Sequence, residues 1–203
     1  MFLGSKPKIA ITKPSKGGRI LYYCSALGVL LAGGKPLKVS PSQNADHNDF
    51  DGLIISGGAD INPALYNSNL FQDQKYDDDR DALEQKLFFK AYEHKKPILG
   101  ICRGAQMMNI SLKGKINSDI KLIVSNARYS EGLWSKIFSR RIISIFKGTI
   151  TWQVFRQRFV KVNSLHHQSI EKLGKGLKVS SREPNGIVQS IEAEDYPYFL
   201  LGV

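Results

Sequence analysis

Pro97-Ile98-Leu99-Gly100-Ile101-Cys102-Arg103-Gly104-Ala105-Gln106 is the stretch on which the fold turns. Pro97 to Ile101 is an apolar run of strand length, and Arg103 to Leu112 reads as a helix directly after it. A buried strand running straight into a helix is the repeating unit of a parallel α/β sheet. Cys102 stands at the joint with Gly100 and Gly104 two residues away on either side. This is G-x-C-x-G, the cysteine form of the nucleophile elbow. The glycines are expected because the turn is sharp and neighbouring backbone comes close. A helix N-terminus brings free N–H groups and partial positive charge, which favour thiolate. The same N–H groups can stabilise an oxyanion. A buried structural cysteine at a helix start is the plainer alternative, and the strand–turn–helix context favours the elbow.

The chain before this stretch follows the same alternation. Lys8 to Thr12 is a short β-rich run, and Gly17-Gly18 a turn. Ile20, Tyr23, Leu27 and Leu31 then recur at helical spacing up to Gly33-Gly34, so that face is expected to be buried and Cys24 with it. Pro36 to Val39 and Phe50 to Ser56 are further strands, the second stopped by Gly57-Gly58. Asp79 to Lys95 reads as a long helix with Leu83, Leu87 and Ala91 on one face beside Phe88 and Tyr92. Strands this apolar, separated by helices, imply a mostly parallel, doubly wound sheet with helices on both faces. Gly57-Gly58 falls at the same C-terminal sheet edge as Cys102, where ligands of such sheets bind. Beyond Lys115 the pattern weakens. Arg141 to Phe146 and Gln157 to Val162 are candidate strands. Leu177 to Arg182, Ile187 to Ala193 and Phe199 to Val203 are clearer ones, and Asn185-Gly186 marks a hairpin.

Composition bounds the rest. The 203 residues are 42% hydrophobic and 23% charged, as in a globular domain and unlike a disordered, collagen-like or coiled-coil chain. No apolar stretch in the first helix is long enough to span a bilayer, and the start carries no secretory pattern. Two cysteines, Cys24 and Cys102, make no disulfide framework, so a cytoplasmic location is expected. The net charge is +11, concentrated between Arg128 and Lys161, where eight Lys or Arg face one acid, Glu131. Asp73 to Glu84 is biased the other way, with six acids. No nucleic-acid motif accompanies the basic segment, so a solvated face is its expected role.

These segments together resemble the class I glutamine amidotransferase superfamily, and within it the γ-glutamyl hydrolase branch. The resemblance runs through Tyr22 to Pro36, Asp51 to Pro63 (including Ser56-Gly57-Gly58-Ala59-Asp60), Asp79-Arg80-Asp81, Pro97 to Asn109, and Asn163-Ser164-Leu165-His166-His167-Gln168. It implies one flavodoxin-like domain over residues 1–203, incomplete at its C-terminus. It also implies a cysteine hydrolase that cleaves a γ-glutamyl amide through a Cys102 thioester. The backbone N–H groups of Gly57, Gly58 and Arg103 would hold the oxyanion, and Gln106, Asn163, His166 and His167 would line the substrate. No cofactor and no metal is implied, the partner is a small γ-glutamyl amide rather than a membrane or nucleic acid, and a homo-oligomer stays open.

The family's last strand, here Phe199 to Val203, runs into a Gln-aromatic-His-Pro-Glu segment that supplies the catalytic His and Glu, followed by a helix. This sequence stops at Val203. Three readings follow: a family member impaired by loss of that segment, an active hydrolase with a rewired Cys102–His166/His167 pair, or a non-catalytic binding module using the pocket or the basic 128–161 segment. Without the helix, an uncovered apolar patch is expected beside the last strand.

Overall fold

The computed structural model describes residues 5–42, 49–66, 76–117, 140–164 and 168–203. Its main sheet is built from β1 (Lys8–Thr12), β2 (Lys35–Val39), β3 (Gly52–Ile55), β4 (Ile98–Gly100), β6 (Arg140–Ile145), β7 (Phe159–Asn163), β9 (Leu177–Arg182), β10 (Val188–Ala193) and β11 (Leu200–Gly202). The order is β2-β1-β3-β4-β11-β10-β9-β6-β7. The pairs from β2 to β11 are parallel, and those from β11 to β7 antiparallel. β5 (Lys115–Asn117) and β8 (Ser169–Lys172) form a separate ribbon. The apolar runs expected to be strands are strands, including the pair near residues 141 and 157. Gly186, at φ +89°, turns the β9–β10 hairpin.

Helices α2 (Asp78–Glu93) and α3 (Arg103–Ser111) pack on one face. Their core contains Leu53, Ile55, Leu87, Phe88, Ala91, Ile98, Met107, Met108, Ile191 and Leu200. Asp77 caps α2 by accepting from the Arg80 N–H at 3.3 Å, and Asp78, Asp79 and Asp81 suit the positive end of its dipole. On the opposite face, α1 (Arg19–Leu31) sits over Ile9, Ile11 and Ile54. Further along that face, Thr151 of α4 (Ile150–Phe155) donates to Ser180 at 2.9 Å.

The expected orientation of α1 is wrong. Its sheet-facing residues are Ala26 and Val29, with Tyr22 partly buried, whereas Ile20 and Leu31 are 79% and 80% exposed and Tyr23 and Leu27 are also exposed. After Arg19 the helix carries no charge, so two apolar stripes compete. Small Ala26 and Val29 let the helix approach the sheet closely. Cys24 lies with the exposed residues. Between α1 and the strand β4 a groove of about 240 Å³ stays open, lined by Ile9, Val29, Ile54, Leu99 and Phe199 among others. Phe199, on its rim, is exposed. Among the described residues no helix is long and apolar enough to cross a membrane.

Candidate active site

Parallel register brings the site together. Ile55 of β3 pairs with Gly100 of β4, so the segments just past each strand end, Gly57 and Cys102, meet at one sheet edge. A Cβ placed on Gly57 would lie 3.8 Å from the Cys102 Cβ. Cys102 has φ 52° and ψ −105°, a backbone conformation that side chains rarely adopt. Tight packing enforces the flanking glycines: a Cβ on Gly104 would sit 2.0 Å from the Ile55 carbonyl oxygen, and one on Gly100 2.4 Å from the Met108 sulfur. The elbow read from the sequence is therefore formed. The Cys102 N–H donates to the Val203 carbonyl at 2.5 Å, and the Val203 N–H to Gly100 at 2.9 Å, which ties β11 to the elbow.

The thiol's pKa is shifted opposite to the direction a helix N-terminus alone favours. Burial pushes its pKa up, and the nearby Asp60 carboxylate adds to the rise. The Arg103 backbone N–H and the Arg103 charge pull the other way without overcoming burial. Alkylation of Cys102 by iodoacetamide in a Cys24→Ser background should therefore accelerate with pH well beyond the ordinary thiol range. A plateau near neutral pH, read by peptide mass mapping, would contradict this. The substitution is required because Cys24 is exposed and competes for the reagent.

Gln106 is buried and its Nε2 donates to the Gln168 carbonyl at 3.4 Å. Both line a cavity against Cys102 together with Gln189, Ser190 and Val203. At about 30 Å³ it has room for little more than a water molecule. Asn163 ends β7 at the outer edge of the sheet, paired in register with Arg140, and is not among the residues lining this cavity. Its neighbour Ser164 accepts from Gln189 at 3.1 Å. His166 and His167 lie outside the described residues, as do His47 and the 128–139 part of the basic segment. His94 caps the C-terminus of α2, at the opposite sheet edge from Cys102.

What the sequence reading passed over is the charge beneath the elbow. Arg80, Asp81, Glu84 and Arg103 are each at most 2% exposed. Glu84 accepts from Arg80 Nε and from Thr12 Oγ1, both at 2.7 Å, and from Arg103 Nη1. Asp81 accepts from Arg103 Nη2 and, at 3.0 Å, from the Asn62 N–H. Burial pushes the Asp81 carboxyl up and the Arg80 guanidinium down, so each charge is sustained by its partners. The signal was available: Arg80 and Glu84 fall on the same helical stripe as Leu87, Phe88 and Ala91, where a charge must find a partner.

A strained cysteine between a parallel strand and a helix start, with a glycine turn against it, defines a glutamine amidotransferase-like α/β protein. The chain belongs to the peptidase C26 family, whose profile matches residues 19–203. NtpR of Enterococcus hirae is 30% identical over 173 residues, covering 83% of this chain and 71% of its own. γ-Glutamyl-γ-aminobutyrate hydrolase PuuD of Escherichia coli K12 is 25% identical over 160 residues, 76% of this chain and 62% of that enzyme. The chain spans 55% to 71% of the lengths of four curated relatives. Among solved structures, a glutamine amidotransferase from Thermotoga maritima superposes with a TM-score of 0.67 at 12% identity, over 98% of this chain and 75% of that one.

Proposed function

We propose that this chain carries the acyl-accepting half of a γ-glutamyl amide hydrolase. The observation that carries the reading is the strained Cys102 elbow packed against Gly57. The Cys102 sulfur attacks the γ-carbonyl carbon, and the resulting oxyanion rests on the N–H groups of Arg103 and the Gly57-Gly58 turn. Collapse breaks the C–N bond, the amine leaves with a proton, and water then cleaves the γ-glutamyl thioester. Gln106 and Gln168, which line the cavity beside Cys102, lie toward the glutamyl group. None of these roles selects the leaving amine.

Two proton transfers in this sequence need a general acid–base, worth roughly 10²–10⁴-fold. His94, the histidine among the described residues, is at the wrong sheet edge, and burial pushes the pKa of the Cys102 thiol up. The 203-residue polypeptide is therefore expected to hydrolyse γ-glutamyl-p-nitroanilide no faster than its Cys102→Ala variant at neutral pH. Robust Cys102-dependent turnover would overturn that expectation. If it vanished in His166→Ala or His167→Ala, a rewired Cys–His pair would take its place.

A further inference from the structure

The buried charge cluster does more than neutralise itself. Arg80 Nη2 donates to the Ser56 carbonyl at 2.9 Å, to Ser56 Oγ at 3.2 Å and to the Gly57 carbonyl at 3.0 Å. The peptide between Gly57 and Gly58 is trans, so aiming its carbonyl at Arg80 aims the Gly58 N–H away from Arg80. The guanidinium meets this turn closely. A Cβ on Gly58 would sit 2.3 Å from Arg80 Nη1, and Gly58 has φ +156°. Glu84 holds Arg80 through Nε and Arg103 through Nη1, so one carboxylate fixes both the turn after β3 and the first residue of α3. Those are the two backbone segments that would share an oxyanion.

We propose that Arg80 is a positioning residue for acyl transfer: its guanidinium orients the Gly57–Gly58 peptide so that the Gly58 N–H faces the oxyanion formed at Cys102. This rests on Cys102 being the acyl acceptor. A lysine keeps the charge but cannot hold Glu84 and two carbonyls from one rigid fork.

The test compares two reagents in a Cys24→Ser background at alkaline pH, by intact mass. The γ-(p-nitrophenyl) ester of glutamate acylates sulfur: the S–C bond forms, the C–O bond breaks, p-nitrophenolate leaves and buffer takes the thiol proton. Its tetrahedral intermediate needs the oxyanion donors, and its leaving group needs no acid. Iodoacetamide alkylates sulfur by direct displacement and needs no such donors. Arg80→Lys and Arg80→Gln should each lower the acylation rate about 10²-fold, the scale for losing one oxyanion donor, while alkylation changes by less than about threefold. The alkylation rate doubles as the check that the elbow still folds. If acylation and alkylation fall together in both variants, or neither falls, Arg80 is only structural and the proposal is overturned. If the parent chain shows no ester acylation of Cys102, the acyl-acceptor reading fails and takes this proposal with it.

Discussion

Glu84→Ala is expected to leave much of the protein unfolded in dilute buffer. The substitution removes the carboxylate shared by two guanidinium groups, each almost without solvent contact. Among the described residues, Arg103 keeps Asp81, but Arg80 keeps only carbonyl and hydroxyl acceptors and faces the like charge of Arg103. Thr12 Oγ1 also loses its acceptor. Breaking a buried ion pair from one side costs about 3–5 kcal/mol, and a whole domain has a net stability of about 5–15 kcal/mol. Urea denaturation followed by tryptophan fluorescence should show the midpoint fall steeply or the native baseline vanish. Asp49→Asn is the control: it breaks the solvent-exposed Lys8–Asp49 pair, and the midpoint should not move. A Glu84→Ala chain as stable as the parent would mean that the four charges are solvated in solution, and the positioning argument would fall with them.

The second large effect is a gain. A tail beginning Gln-Trp-His-Pro-Glu and continuing as an amphipathic helix, fused after Val203, should raise the denaturation midpoint and bring Cys102-dependent hydrolysis. Val203 is hydrogen-bonded on both sides to the elbow, to Gly100 and Cys102. A residue three positions further on can lie no more than about 10 Å away, so its imidazole can reach the sulfur. The helix has a surface to cover: the Ile9–Ile54–Leu99 groove, with Leu27, Leu30 and Leu31 of α1 exposed nearby. Covering about 300 Å² of apolar surface contributes roughly 7 kcal/mol at about 25 cal/mol per Å². Turnover should rise about 10²–10⁴-fold over the unfused chain. A fused chain with an unchanged midpoint would show that the groove is already satisfied. One that gained stability without activity would place the proton relay elsewhere.

The elbow was legible because it rests on local chemistry. Gly100 and Gly104 supply the Cβ-free positions that close packing at a strand-to-helix turn requires, and an apolar strand on one side and a helix on the other fix where they sit. The same holds for Asn185-Gly186, whose turn specifies the β9–β10 hairpin. The face of α1 was not legible, because a helix apolar all round gives no polar side to exclude, and only the shape of Ile9, Ile11 and Ile54 selects Ala26 and Val29. The thiol shift was misjudged for a related reason. A helix N-terminus is visible in sequence, but the burial that outweighs it comes from strands far apart in the chain. The switch from parallel to antiparallel pairing after β11 depends likewise on long-range pairing that periodicity does not encode.

Cys102 as an acyl acceptor is the claim on which everything else depends. The most direct measurement treats the folded Cys24→Ser chain with the γ-(p-nitrophenyl) ester of glutamate at alkaline pH and maps the adduct by peptide mass spectrometry. One γ-glutamyl group per chain, on the peptide containing Cys102, absent from Cys102→Ala and lost when the chain is unfolded before exposure, is the predicted result. No adduct, or an adduct that forms as fast on the unfolded chain, would show that the elbow does not activate acyl transfer.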